Sequence, residues 1–481
     1  LRLDPAFAPW LKYERGSLPG SGWWTHQYAD AGGTGSSGDQ RVKGQLDVVW
    51  YGEPGADKVP DRHLRNAAPL LINGRIIAQG LLYKQKKDIL FSYDAYNGLP
   101  YWERELPGAR RLNFPDPGGN IAANSSDVFI VAGPACHRLD LFTGLTRAIY
   151  KVPSEKQAEW SYLAVTDQRL IGGVARAPKR PLAPGRTISG FSEALFAIDL
   201  ANGRPIWTHQ AREIRDSAIA CGDGRIYLIE NNEKAAGEMP VAEEEPQLGD
   251  ADTEGEKTPV DRLGEKKIPA ANEPVFRTVL ALDIATGGKI WEKSVDVANC
   301  GKLEGGAFGS ISMLCKEPYL VLGGAHTPYG RPPADYPNRR ILVLSTRDGS
   351  TVWTKSGGNK SRPIIIDDLL IAEPGIFKLA TGEKATTISA KTGKTIDIPG
   401  IARSGGCGAL SASACMVFYR AGNTGWRDIA TGGYGAFSGL RPGCFINIIP
   451  AGGMAVQTEA SSGCSCYYAL QCTIAFTARK R

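Results

Sequence analysis

A nine-residue pattern, Asp-x-x-Thr/Asn-Gly-x-x-x-Trp, recurs along this chain and restricts it to folds built from stacked hairpins. It stands at Asp94–Trp102, Asp199–Trp207 and Asp283–Trp291, and as a close variant at Ser345–Trp353. A further copy runs through Asp140, Thr143 and Gly144, with Ile149 and Tyr150 where the tryptophan would fall. Two weaker copies surround Thr381-Gly382 and Asp428–Gly432. The leading Asp or Ser accepts hydrogen bonds from backbone N–H groups two or three residues on. Glycine supplies the positive φ that leads into the next strand. The tryptophan presents a large flat face that one hairpin cannot bury but stacked copies can.

Copies are 33 to 84 residues apart, too irregular for a strict solenoid. That spacing suits a propeller of four-stranded antiparallel blades with loops of varied length. Glycine (58) and proline (31) are frequent and the apolar runs short, which also favours many strands and tight turns. Residues 233–274, rich in Glu, Lys, Pro and Ala, read as a solvated insertion, with a docking arm as the alternative. Residues 46–53 resemble a last strand without its hairpin, ending near Trp50, and the C-terminal stretch from Cys444 resembles a blade without its last strand. Joining the two removes exposed edges. The expected fold is therefore all-β: an eight-bladed β-propeller over 46–481, its ring closed by N- and C-terminal strands. Residues 1–45 form a lead-in segment packed on it. The run Gly32–Gly38 reads as a flexible glycine-serine turn, since no helix follows to make it a phosphate cradle.

A net charge of +6 without a long basic run argues against nucleic acid as a partner. No apolar run is long enough for a transmembrane helix. The start at Leu1, without a signal sequence, reads as a processed or trimmed chain. Six of the ten cysteines lie in the last 75 residues, which favours an oxidising compartment, periplasmic or extracellular. Cys300 with Cys315, and Cys407, Cys415, Cys444, Cys464, Cys466 and Cys472, are disulfide candidates of open connectivity. Zinc is the alternative for the last four, against their Cys-x-Cys spacing. No covalent haem motif, P-loop or Gly-x-Ser-x-Gly elbow occurs.

The repeated Asp-x-x-Thr/Asn-Gly-x-x-x-Trp motif resembles the PQQ-type propeller repeat, over about residues 46–476. That family includes eight-bladed quinoprotein alcohol dehydrogenases and a cofactor-free outer-membrane assembly lipoprotein. The whole chain is further similar to bacterial secreted PQQ-binding-like propellers. The resemblance implies the fold, because the motif is structural. In the dehydrogenases it implies a disulfide of adjacent cysteines against the quinone, calcium held by Glu and Asn, and an Asp base. Here no Cys-Cys pair exists, and Cys464-Ser465-Cys466 is not equivalent. No bound cofactor is expected, with PQQ and calcium as the alternative.

Candidate chemistry lies between the repeats. Asp61 beside His63 has the makings of an acid–base pair, or of a surface loop whose Asp pairs with arginine. His26, flanked by Trp23, Trp24 and Tyr28, suits a ring-shaped ligand or an internally bonded plug. Arg110 and Arg111 after one tryptophan, and Asn359, Lys360 and Arg362 after another, would form an anion-binding face if they open on the same side. The function these features favour is a protein- or glycan-binding assembly module, on its own or as a subunit of a larger complex. The alternative is an oxidoreductase or carbohydrate-active enzyme with a polar axial pocket.

Overall fold

The computed structural model describes residues 18–59, 67–82, 84–110, 119–154, 158–166, 168–177, 190–231, 274–302, 310–324, 338–357, 359–389, 392–401, 403, 408–442, 448–458 and 470–479, together with the short strands Arg2–Leu3 and Leu11–Lys12. Among these residues all regular structure is β, in antiparallel sheets. Blade 1 comprises Leu70–Ile72, Arg75–Leu82, Lys87–Asp94 and Pro100–Glu105, and blade 2 comprises Ile121–Ala123, Asp127–Ala132, Ala135–Asp140 and Thr146–Lys151. Blades 3 and 4 share a seven-stranded sheet. Its long strand Pro205–Gly222 is the outer strand of blade 3 in its first half and the inner strand of blade 4 in its second, so that Ile214 faces both Ser192 and Glu230. Exposure follows the hand-over: residues alternate up to Arg212 and are buried from Glu213 to Cys221.

Blade 5 spans Ile311–Lys316 to Thr351–Ser356 and blade 7 spans Ser411–Ala412 to Tyr434–Phe437. Blade 6 has three strands, Ile364–Ile366, Leu369–Ala372 and Gly375–Lys378; its expected fourth gives way to a separate hairpin, Thr386–Ile388 with Thr395–Asp397. Blade 8 is the composite. Leu46–Gly52 pairs with Thr473–Ala478, placing Trp50 opposite Ala475, and Met454–Gln457 and Ile449–Ala451 complete the sheet. The innermost strands touch in sequence from blade 1 to blade 8 and back to blade 1, so the ring closes.

The innermost strands of blades 1, 2 and 6 are short, apolar and buried, whereas outermost strands such as those of blades 1 and 5 alternate or are exposed. The motif explains the joints. Asp283 Oδ1 accepts from the backbone of Ala285 and Thr286 and from the Thr286 hydroxyl, bonds that hold its carboxyl below the usual range. The next residue of consequence is Gly287, at φ 70°. A Cβ there would meet Trp207 of the preceding blade at 2.6 Å, and the Trp207 indole donates to Ile284 O at 3.0 Å. Each tryptophan of the motif thus lies on the glycine of the following blade. Trp50 donates to Ala95 O, Trp102 to Leu141 O, Trp291 to Thr346 O and Trp353 to Leu379 O. Register corrects one expectation. Ala148, not Ile149 or Tyr150, occupies the tryptophan position of blade 2, and Tyr150 approaches Gly203 from two residues further along.

Candidate axial site

The run Gly32–Gly38 is not a free turn. Residues 22–39 form a strap that crosses one end of the ring and hydrogen-bonds to all eight blades. Trp24 exchanges two backbone bonds with Leu71 of blade 1, and Ala123 N of blade 2 donates to Thr25 O. Val165 N of blade 3 donates to His26 Nε2 at 3.0 Å. Cys221 N of blade 4 reaches Ala31 O, Cys315 N of blade 5 reaches Gly32 O, and Ile365 N of blade 6 reaches Thr34 O. Ala412 of blade 7 bonds Gly35 and Ser37, and Gly452 N of blade 8 donates to Gly22 O. Asp39 Oδ2 then accepts from Gly453 N, also of blade 8, at 2.7 Å, closing the circuit. The glycines are required by proximity. A Cβ on Gly32 would lie 2.6 Å from Cys315 O, and one on Gly33, at φ 68°, 2.7 Å from an Arg362 guanidinium nitrogen.

Strap side chains fill the axis. Gln27 Oε1 accepts from Ala68 N at 2.7 Å. Tyr28 is buried, with the Arg362 guanidinium over its ring at 4.0 Å. Asp30 accepts from both the backbone and the hydroxyl of Thr34, and burial raises its carboxyl pKa against those bonds and the nearby Arg362. His26 is neutral and saturated. Since Nε2 accepts from Val165, Nδ1 carries the proton and donates to Thr25 Oγ1 at 2.8 Å; Thr25 in turn donates to Ala29 O. Burial lowers its pKa to about 4. Such a ring ties the strap to blade 3 and has no nitrogen left for proton transfer.

The anion-binding face does not assemble among the described residues. Arg110 is paired with Asp88 at 2.6 Å within blade 1. Asn359 is buried, its amide donating to Gly324 O and Ser361 O. The Lys360 N–H donates to Glu373 O, and Arg362 points into the axis. Asp61, His63 and Arg111 lie outside the described residues, as do Cys407, Cys444, Cys464 and Cys466. Cys300 and Cys315 do not pair. Both are free, as is Cys415. Cys300 lies beside Arg340, while Cys315 reaches across to Gly222 of blade 4. Burial pushes the thiol of Cys300 up to about 11 and that of Cys221 to about 12.

Other buried polar groups tie blades together. Glu373 is held by Ser361 and by Arg403, at 2.9 Å from each, and Ser192 links Ser161 to Asp216. Of these groups the sequence pointed only to Tyr28, as a neighbour of His26; Gln27, Asp30, Glu373 and Arg403 were not singled out. The available signal was the polar, aromatic and glycine-rich stretch from Trp24 to Asp39, which has no repeat of its own.

The model of the PQQ-type repeat family described as outer membrane protein assembly factor BamB matches residues 270–417, from blade 4 into blade 7. The chain has the fold of a PQQ-like β-propeller. No curated protein sequence matches it. Among solved structures, the quinohemoprotein alcohol dehydrogenase ADHIIG from Pseudomonas putida HK5 aligns with a TM-score of 0.53 at 10% identity, over 96% of this chain and 81% of that one. A europium-containing methanol dehydrogenase aligns at 0.50 and 11% identity, over 95% and 98%. BamB from Moraxella catarrhalis aligns at 0.47 and 10% identity, over 90% and 100%. The described part of this PQQ-like propeller does not fit a quinone held in the dehydrogenase manner. Its axis is taken by Tyr28 and Arg362, Asp30 is committed to Thr34, and Cys221 and Cys315 stand on different blades.

Proposed function

We propose that this PQQ-like propeller is a secreted or periplasmic binding and assembly module: a rigid ring that displays a surface to a protein or glycan without using a cofactor. The observation that carries this reading is the strap. It spends the inner-strand ends of all eight blades, and the His26 ring, on bonds that close one end of the axis. The Ser161–Ser192–Asp216 chain likewise binds blade 3 to blade 4, and the buried Glu373–Arg403 pair ties blade 6 to the segment that leads to blade 7. A ring cross-tied in this way is suited to holding a fixed surface. The extracytoplasmic assignment rests on the late cluster of cysteines.

Reconstitution with PQQ and calcium tests the proposal. The expected absorption spectrum is the sum of the components, with no dye-linked oxidation of alcohols. Stoichiometric capture of the quinone with turnover would overturn it.

A further inference from the structure

Seven copies of one turn provide an internal control for what the fold requires. The second residue after the leading position is Tyr96 in blade 1 and Phe142 in blade 2, but Ala201, Ala285, Arg347, Ala380 and Ala430 in the later blades. The residue after the turn glycine is Leu99 and Leu145 in the first two blades, but Arg204, Gly288, Ser350, Glu383 and Gly433 in the others. The turn therefore forms without large apolar residues at these positions. In blades 1 and 2 they are nonetheless apolar and exposed, at 64% for Leu99, 68% for Leu145 and 47% for Phe142.

The two tips form one surface. The Arg75 guanidinium lies 3.6 Å from the centre of the Tyr101 ring and 5.0 Å from that of Phe142, bridging the turns. Tyr96 donates to Gly452 O at 3.0 Å, and Gly452 N donates to Gly22 O, which brings exposed Trp23 of the strap alongside. On the same face the tips of blades 3 and 5 present Arg204 and Arg347, and the strap leads to exposed Arg41 and Lys43. Asp348 on the blade 5 tip and Glu383 on the blade 6 tip are exposed acids, in a chain of net charge +6.

We propose that the strap-side face docks on an anionic lipid surface. Leu99, Phe142 and Leu145 enter the acyl boundary, Trp23, Tyr96 and Tyr101 lie at headgroup level, and the basic tips and strap end face the anionic headgroups. The apolar side chains sit on protruding hairpin tips rather than in a packed concave centre, which favours a bilayer over a protein as the occupant. This inference does not depend on the scaffold reading.

Co-sedimentation of the full chain with phosphatidylcholine vesicles, with and without phosphatidylglycerol, tests it. Binding is expected only to the anionic vesicles and weakens at high salt. Leu99→Ser with Leu145→Ser should lower partitioning at least about tenfold, and Arg204→Ser with Arg347→Ser about thirtyfold at low salt. Ile290→Ser with Val352→Ser, on the outermost strands of blades 4 and 5, should change it little. Far-UV circular dichroism and thermal melting establish that each variant is folded. The proposal fails if the wild type stays in solution with anionic vesicles, even should the same tips bind a protein. It also fails if the folded Leu99/Leu145 variant still sediments.

Discussion

The joint between blades 3 and 4 and the joint between blades 6 and 7 are built on the same turn, Asp-Ile-Ala-Thr-Gly-Gly, but only the first has a tryptophan over it. In the first, Trp207 covers Gly287 and donates to Ile284 O. In the second, exposed Thr386 stands eight residues after the start of its turn, where the tryptophan would be, and the nearest neighbour of a Cβ on Gly432 is Pro399 at 3.9 Å. Blade 6 also lacks a continuous fourth strand. The tryptophan thus does two things at once: it completes its own outer strand and it caps the next blade. Where it is absent, as also at Ala148, another contact must fill the joint. Between blades 7 and 8 that contact is Phe437 stacked on Phe476, with centroids 4.4 Å apart.

The comparison can be broken most strongly at the indole. Trp207→Ala removes a half-buried ring and its hydrogen bond and should cost about 3 kcal/mol in urea unfolding. Thr386→Ala should cost less than about 0.5 kcal/mol. Equal costs at the two sites would contradict the assignment of the tryptophan as the staple. The glycines sharpen the same contrast. Gly287→Ala meets both a positive φ and the indole, for a loss of about 2 kcal/mol, whereas Gly432→Ala meets the positive φ alone, for about 1 kcal/mol.

A pH-dependent effect separates the strap from both joints. The His26 pKa falls from 6.5 to about 4 on folding, so between these values the unfolded chain binds the extra proton. The stability contributed is complete above pH 6.5 and is lost as pH falls toward 4, by up to about 1.4 kcal/mol per pH unit. His26→Asn should flatten this part of the profile in urea titrations at pH 7 and pH 5. An unchanged slope would show that the ring is not held neutral.

The joints were legible in the sequence because their chemistry is local: Asp, Gly and Trp fall within nine residues. Closure was legible because Trp50 lacked a hairpin of its own. The strap was not, since every bond it makes is to a distant blade, and a glycine run selected for close approach looks like one selected for freedom. Arg110 was misjudged for a related reason. Its partner Asp88 lies 22 residues earlier, near the start of the third strand of the same blade, and takes up the charge that an anion site would use.

Hydrogen exchange on the native chain, read by peptide-level mass spectrometry, tests the eightfold tie most directly. The amides of Ala123, Val165, Cys221, Cys315, Ile365 and Ala412 donate to successive strap atoms. They should be protected as one set, and His26→Asn should speed their exchange together across the ring. Exchange that rises at Val165 alone, with the other five unchanged, would contradict the account.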